Sequence, residues 1–249
     1  AISLPIAGFY LLLSGSNVAT ERAFVMVVVM LGAVLLDRAA ITMRSVAIAA
    51  LVLLLWQPEA LLEPGFQMSF AATIALVAGF EALAKVVERK RLWRGVPVVM
   101  TLVLSSVIGG FATAPYAAAH FNRFTDYGLL ANLLTVPVMG AVVMPAGAVA
   151  ALLAPFGLAG PALWVMGQGA AWILWVAAKI AALEGAVTPI PMPPDIVLPL
   201  ITLGALWLIL WPFRARWLGV LPVAAAVWLW SDHTRPLLLM DAEARLLGV

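Results

Sequence analysis

Two polar loops carry the side chains of this chain that are best suited to binding chemistry. They are GSNVATER at 15–22 and QPEALLEPGFQMSF at 57–70, and each lies between almost wholly apolar segments. Charge and irregular backbone between membrane spans lie at an interface or line a protected aqueous cavity. The loops therefore supply the first candidate residues of a polar path, which are Asn17, Arg22, Gln67 and Ser69.

The second loop leads directly into a helix, and this places its glutamine among apolar neighbours. Pro64 is suited to the first helical turn, and Gln67 follows inside it. A buried glutamine needs hydrogen-bond partners. We expect the first loop to supply them, so that the two loops form a polar plug between helices.

The composition excludes water as the main solvent of this chain. Of its 249 residues, 65% are hydrophobic and 10% are charged, whereas roughly a quarter of a soluble domain is charged. Because a helical span needs about 20 mostly apolar residues, we predict an all-α polytopic membrane protein of about eight to nine transmembrane or re-entrant helices, some broken by proline. The predicted helices are 2–13, 23–36, 43–56, 66–84, 96–119, 129–153, 160–183, 196–212 and 217–230.

Basic residues collect on one side of the predicted helices. Since positive charge is retained in the cytoplasm, that side is predicted to be cytoplasmic in a multi-pass inner-membrane protein. Both polar loops and the segment 120–128 then face outward. The expected domains are a transmembrane domain over 1–230 and an extracytoplasmic tail over 231–249 that begins a further domain. The basic residues on the inner side are Arg38, Arg44, Lys85, Arg89, Lys90, Arg91, Arg94, Arg214 and Arg216.

The predicted helix 129–153 contains two prolines, Pro137 and Pro145, in its interior. Each proline removes one backbone donor and clashes with the carbonyl four residues earlier. Broken helices at membrane depth often mark transport sites, which makes Asn132 and Pro137 candidate path residues. A bent packing helix explains the same pattern.

A stripe of small and weakly polar residues runs along the predicted helix 96–119. Residues four apart share one face of a helix. Such a stripe either packs tightly against a neighbouring helix or faces a wet path, and Thr113 is its candidate path residue. The stripe consists of Thr101, Ser105, Gly109 and Thr113, with Ser106 and Gly110 beside it.

The segment that follows this helix mixes aromatic, amide and basic side chains. Aromatic faces stack on bases and arginine neutralises phosphate, which is how single strands are bound without sequence preference. An aromatic belt at the lipid headgroups gives the same composition. The candidate contacts at the outer mouth of a path are Tyr116, His120, Phe121, Asn122 and Arg123.

Several kinds of chemistry are excluded by the sequence. The chain has no cysteine and two histidines, and it contains neither GxxxxGK[ST] nor HExxH, so P-loop hydrolysis of nucleotides and a zincin-type metal centre are ruled out. No catalytic residue, cofactor or metal site is expected, and we predict that the chain is not an enzyme.

Four motifs in succession resemble the competence-type DNA-uptake channel family known as ComEC. They are GSNVATERAF, QPEALLEPGFQMSF, ATAPYAAAHFNRF and GLLANLLTVPVMG, and the likeness extends over about residues 1–230. The resemblance implies an inner-membrane channel that passes single-stranded DNA into the cytoplasm. It also implies a periplasmic DNA receptor and a cytoplasmic ATPase or helicase as partners.

The residues alone leave two other functions open. A small-solute permease would hold one substrate at the proline-broken helix, and it would show saturable flux independent of DNA. A membrane scaffold would tolerate apolar substitutions in the polar loops.

Overall fold

The apolar segments form helices close to the predicted positions. In this computed structural model, which describes residues 7–8, 11–12, 15, 18–35, 42–87, 96–232, 239–240 and 247–248, the all-α prediction is confirmed. Of the predicted helix 2–13, the described residues 7–8 and 11–12 are helical. The α-helices are α1 Val18–Leu35, α2 Met43–Trp56, α3 Pro64–Val87, α4 Val96–Phe121, α5 Gly128–Val138, α6 Met144–Leu153, α7 Gly160–Ala181, α8 Val197–Leu210 and α9 Val220–Ser231.

Within the described part, four helical stretches are long and apolar enough to cross a membrane. Two shorter apolar helices, Met43–Trp56 and Val197–Leu210, accompany them. Their length and composition are those of a polytopic membrane protein. The four long stretches are Pro64–Ala84, Met100–Phe121, Gly128–Phe156 and Gly160–Ala181.

The chain divides into two compact units. The first consists of Ala1–Ala114 and Thr125–Thr188, and the second of Pro115–Phe124 and Pro189–Val249. Helix α4 passes from the first unit to the second at Pro115, the proline inside that helix. The domain boundary predicted at residue 230 separates a transmembrane domain from an extracytoplasmic tail, and it stays a prediction.

A core between α2 and α3 fixes the second polar loop in the first unit. The short 3-10 helix Pro58–Leu62 connects these two helices, and its Ala60 is buried with them. Helix α1 packs against the same core. The buried side chains are Val46, Ala49, Leu53, Ala60, Phe66, Phe70 and Val77.

The interruption predicted at Pro137 and Pro145 takes the form of a π-helical segment, Met139–Val143, between α5 and α6. The backbone stays in the right-handed helical region at Val138 and Met144. Met144 donates its N–H to the carbonyl of Met139, five residues earlier. The chain therefore widens by one residue in this turn and does not unwind into an extended gap.

Helix α7 supports this π segment from one side. A Cβ on Gly169 would lie 2.6 Å from a methyl group of Val143 and 3.3 Å from one of Val142, so these side chains pack directly against the backbone of α7. The Trp172 indole N–H donates to the carbonyl of Leu134 at 3.2 Å. These contacts hold α5 in place on the side of the helix that faces α7.

In the second unit, α8 and α9 form a tight helical hairpin. A Cβ on Gly204 would lie 2.7 Å from the carbonyl oxygen of Gly219, so only glycine fits at this crossing. The 3-10 helix Arg214–Gly219 connects the two helices.

The short strands are β1 Arg123–Thr125, β2 Val187–Pro189, β3 Leu239–Met240 and β4 Leu247–Gly248. Strand β3 pairs antiparallel with β4, Leu239 with Gly248 and Met240 with Leu247.

Candidate functional site

Small and polar side chains of the first unit surround a cavity of about 280 Å³. Helix α3 contributes one lining residue, α4 contributes five and α5 contributes two. A water molecule occupies about 30 Å³ in the liquid, so the cavity is large enough for many of them. The lining residues are Ala72, Ser105, Ser106, Gly109, Gly110, Thr113, Asn132 and Val136.

Two of the hydroxyl groups of α4 that line this cavity are engaged with their own helix. Thr113 donates to the carbonyl of Gly109 at 2.9 Å, and Ser105 donates to the carbonyl of Leu102 at 2.9 Å. Each oxygen keeps a lone pair that can accept a further hydrogen bond. The α4 wall therefore presents acceptors without charge.

Asn132 supplies the amide of the cavity wall. Within the described part of the chain its side chain has no hydrogen-bond partner, and both Asn132 and Gly110 are exposed. A carboxamide offers two donors and one acceptor. The cavity thus opens to the surface of the unit, and the Asn132 carboxamide is free to donate and to accept hydrogen bonds there.

Two of the predicted path residues, Thr113 and Asn132, come together in this cavity. Pro137 does not line it. It lies at the end of α5, one residue after Val136 and two before the π segment. Five of the six predicted members of the small-residue stripe of α4 line the cavity, which are Ser105, Ser106, Gly109, Gly110 and Thr113.

Arg22 lies in the first turns of α1 and reaches the second polar loop. Its Nη1 is 3.8 Å from Oε2 of Glu63, and its side chain is 13% exposed whereas that of Glu63 is 40% exposed. The guanidinium lies so close to Gly65 that a Cβ there would be 2.5 Å from Nη2. Among the described residues, buried Nη1 has no hydrogen-bond partner, and its 3.8 Å distance from Glu63 is too long for a hydrogen bond.

The two polar loops meet through side-chain contacts. The Gln57 side-chain N–H donates to the Glu21 carboxylate at 3.1 Å, and Arg22 pairs with Glu63. The Gln67 amide donates at 2.9 Å to the carbonyl of Leu61, which belongs to its own loop. Gln67 thereby closes the turn that precedes α3, and the expectation that the first loop supplies its partners stays a prediction.

We expect that replacing Glu63 with glutamine lowers the free energy of unfolding by about 1 kcal/mol or less, because the carboxylate is well solvated and its contact with Arg22 is long. Thermal denaturation in detergent measures this change. A loss of roughly 3 kcal/mol or more would show instead that the pair behaves as a buried ion pair.

Two further predicted path residues lie apart from the cavity. Ser69 follows Gln67 in α3 and its carbonyl accepts the Thr73 hydroxyl at 2.8 Å. Neither Ser69 nor Gln67 lines the cavity. Asn17 lies outside the described residues, as do residues 88–94 of the basic run.

The predicted outer-mouth residues all belong to the second unit, and they differ in how far they are buried. Tyr116 is buried, and its hydroxyl bonds that of Thr202 on α8 at 2.8 Å. Its ring is a packing element in this structure, which corrects the expectation of a face open for stacking. His120, the fourth residue after Tyr116, is partly buried.

The other outer-mouth residues surround the end of α4 and are exposed. Asn122 ends the helix in the left-handed region at φ 54°, where asparagine is tolerated. Phe121 and Arg123 flank it, and the Arg123 Nε donates to the Phe121 carbonyl at 3.4 Å. An exposed ring beside an exposed guanidinium retains the chemistry predicted for this turn.

Ala72 and Val136 are cavity residues that were not among the sequence candidates. Val136 lies four residues after Asn132, so helical periodicity places it on the same face. No sequence signal singles out Ala72, because a small apolar residue in α3 is ordinary.

The long apolar helices and the polar cavity between them define an all-α membrane protein with a polar site. The family model described as Competence protein matches residues 1–215, and the chain belongs to that family. This confirms the family resemblance of the four motifs.

One curated relative shows how much of a longer protein the chain represents. ComE operon protein 3 of Bacillus subtilis (strain 168) is 28% identical to this chain over 144 residues. The match covers 58% of this chain but 17% of the relative, so the chain corresponds to a small part of that protein. No solved structure matches the chain.

Proposed function

We propose that this chain forms the wall of a hydrated path along which single-stranded DNA crosses the inner membrane during natural transformation. The observation that supports this proposal is the uncharged polar cavity formed by α3, α4 and α5. Membership of the competence family supports a role in DNA uptake. Residues of the cavity wall act by contact with the strand and catalyse no step.

An uncharged wall suits passage of a phosphate chain. A phosphate in hydrocarbon is strongly destabilised, so it needs protein and water around it. The lining residues include neither lysine nor arginine. Transport requires binding that is weak enough to release the strand, and hydroxyl oxygens with one free carboxamide provide such binding.

The orientation of the path follows from charge. Cytoplasmic retention of Arg214 and Arg216 places the opposite helix ends, including the exposed turn of Phe121 and Arg123, toward the periplasm. A periplasmic DNA receptor would supply the strand, and that turn would contact it first. A cytoplasmic ATPase or helicase would pull the strand, because the chain has no P-loop motif of its own.

Asn132→Leu in the full-length protein is expected to reduce uptake of labelled DNA about tenfold, because it removes the free carboxamide of the cavity wall and leaves an apolar side chain. The matched control is Thr135→Val. Thr135 lies on the same helix outside the cavity lining, and its hydroxyl bonds the Ala131 carbonyl at 2.8 Å. The control is expected to retain uptake within about twofold.

Equal uptake by both variants, at equal protein levels in the membrane, would contradict the proposed path. Saturable flux of a small solute that Asn132→Leu abolishes without a change in DNA uptake would identify a permease. Full function of both variants and of Gln67→Leu would identify a scaffold.

A further inference from the structure

Aromatic and basic side chains alternate in the connection between α8 and α9. We call residues 211–218 the aromatic–basic loop, and it lies far from the cavity residues in sequence and in the other compact unit. All its residues are exposed. The large or charged ones are Trp211, Phe213, Arg214, Arg216, Trp217 and Leu218.

Phe213 holds the most unusual conformation of this loop. Its φ is 59°, in the left-handed region that a bulky side chain rarely adopts, and its side chain is 89% exposed. Strain of this kind persists where the surroundings dictate the conformation, and it is concentrated at functional sites. The ring gains nothing from packing within the described part of the chain, so a contact outside it is the natural reason for its position.

The loop is held rigidly on the hairpin. Trp207 stacks on Trp211 with a centroid distance of 4.1 Å and an angle of 7°. The Trp207 indole N–H donates to the carbonyl of Ala215 at 2.9 Å. The close crossing of Gly204 and Gly219 lies directly beneath the loop. The exposed side chains are therefore presented by a fixed backbone.

The charge of the loop has one sign. Arg214 and Arg216 are exposed, and in the described part of the chain neither side chain has an ion pair or a hydrogen bond. No acidic residue occurs between 211 and 219. Two guanidinium groups beside exposed aromatic rings suit a partner that is both anionic and apolar.

The lengths of the two helices set the depth of the loop in a bilayer. Helix α8 has 14 residues and α9 has 12, which corresponds to about 21 Å and about 18 Å. The hydrocarbon core is about 30 Å thick. Helices shorter than the core are accommodated by local thinning of the bilayer and by flanking side chains that reach the headgroups, and the aromatic rings and arginines of this connection are suited to that role.

We propose that the aromatic–basic loop is a binding site for anionic phospholipid headgroups. Arg214 and Arg216 bind the lipid phosphate and glycerol-linked anionic headgroup, while Phe213 and Trp217 insert among the upper acyl carbons. The site anchors the α8–α9 hairpin at its basic end. This inference stands independently of the proposed DNA path.

Photocrosslinking in vesicles tests this site. The protein carries p-benzoylphenylalanine in place of Phe213 and is reconstituted in equimolar phosphatidylglycerol and phosphatidylcholine. The matched control carries the same group in place of Phe156, which is 75% exposed in the uncharged connection between α6 and α7. We expect adducts at 213 to favour phosphatidylglycerol at least about fivefold, because each arginine near the surface attracts anionic lipid.

The preference should be absent at 156, and it should be lost at 213 in the double variant Arg214→Gln/Arg216→Gln. Equal lipid ratios at 213 and 156 would overturn the proposal. So would a preference that survives the double variant. Adducts at 213 that shift from lipid to an added single-stranded oligonucleotide would assign the loop to nucleic acid and would also overturn it.

Discussion

Gly109→Leu is expected to reduce uptake of labelled DNA about 100-fold, because a leucine here places a hydrophobic constriction in a polar cavity and excludes water from it. A Cβ added at Gly109 meets no atom within 4 Å, so the side chain enters open space without a clash. Leucine also has the higher helix propensity, by about 1 kcal/mol. Loss of uptake would thus come from blockage and not from unfolding.

The matched control for this variant is Gly167→Leu. Gly167 lies in α7, is exposed, does not line the cavity, and likewise has open space around an added Cβ. Uptake and membrane level are compared side by side for the two variants. Unimpaired uptake by Gly109→Leu would remove this cavity from the path, whereas equal loss in both variants would indicate a general effect of leucine in these helices.

Gly204→Ala is expected to destabilise the protein by about 1–3 kcal/mol, since overpacking forces the backbone apart. The added Cβ would lie 2.7 Å from the carbonyl oxygen of Gly219 and 2.6 Å from a Val223 methyl. A backbone carbonyl in a close helix crossing cannot move aside as a flexible side-chain end does. The change is measured as the shift in the free energy of unfolding in detergent.

Gly167→Ala serves as the control for stability, because its new methyl meets nothing within 4 Å. It should leave the protein unchanged or slightly more stable, as expected for alanine in place of glycine in a helix. If Gly204→Ala proved as stable as this control, the hairpin would be able to open without cost and would not be held at the glycine crossing.

The positions of the helices were predictable because apolar segments of membrane length are a strong signal. Helix α2 has the predicted limits, Met43 and Trp56. Helix α1 begins earlier than predicted, at Val18, since polar residues such as Glu21 are accepted in a first turn. The π segment was not predictable, because proline indicates where a donor is lost but not how the chain compensates.

The candidate site was predictable in part, and the division follows helical geometry. Thr113 and Asn132 meet because each lies on a polar face of its own helix. The burial of Tyr116 depends on a tertiary contact with Thr202, which no local pattern specifies, whereas the Gln67 amide bonds Leu61 within its own loop.

The extra residue in the turn Met139–Val143 changes which faces of helices α5 and α6 lie against neighbouring helices. Each residue of an α-helix advances the azimuth by about 100°, so one surplus residue turns α6 by that angle relative to a straight continuation of α5. The face of α5 that bears Asn132 and Val136 therefore does not continue along α6. On α6, Gly147 lies against Met166 of α7. A single residue of chain length thereby ends the polar face of α5 at the π segment, and α6 turns a different face toward its neighbours.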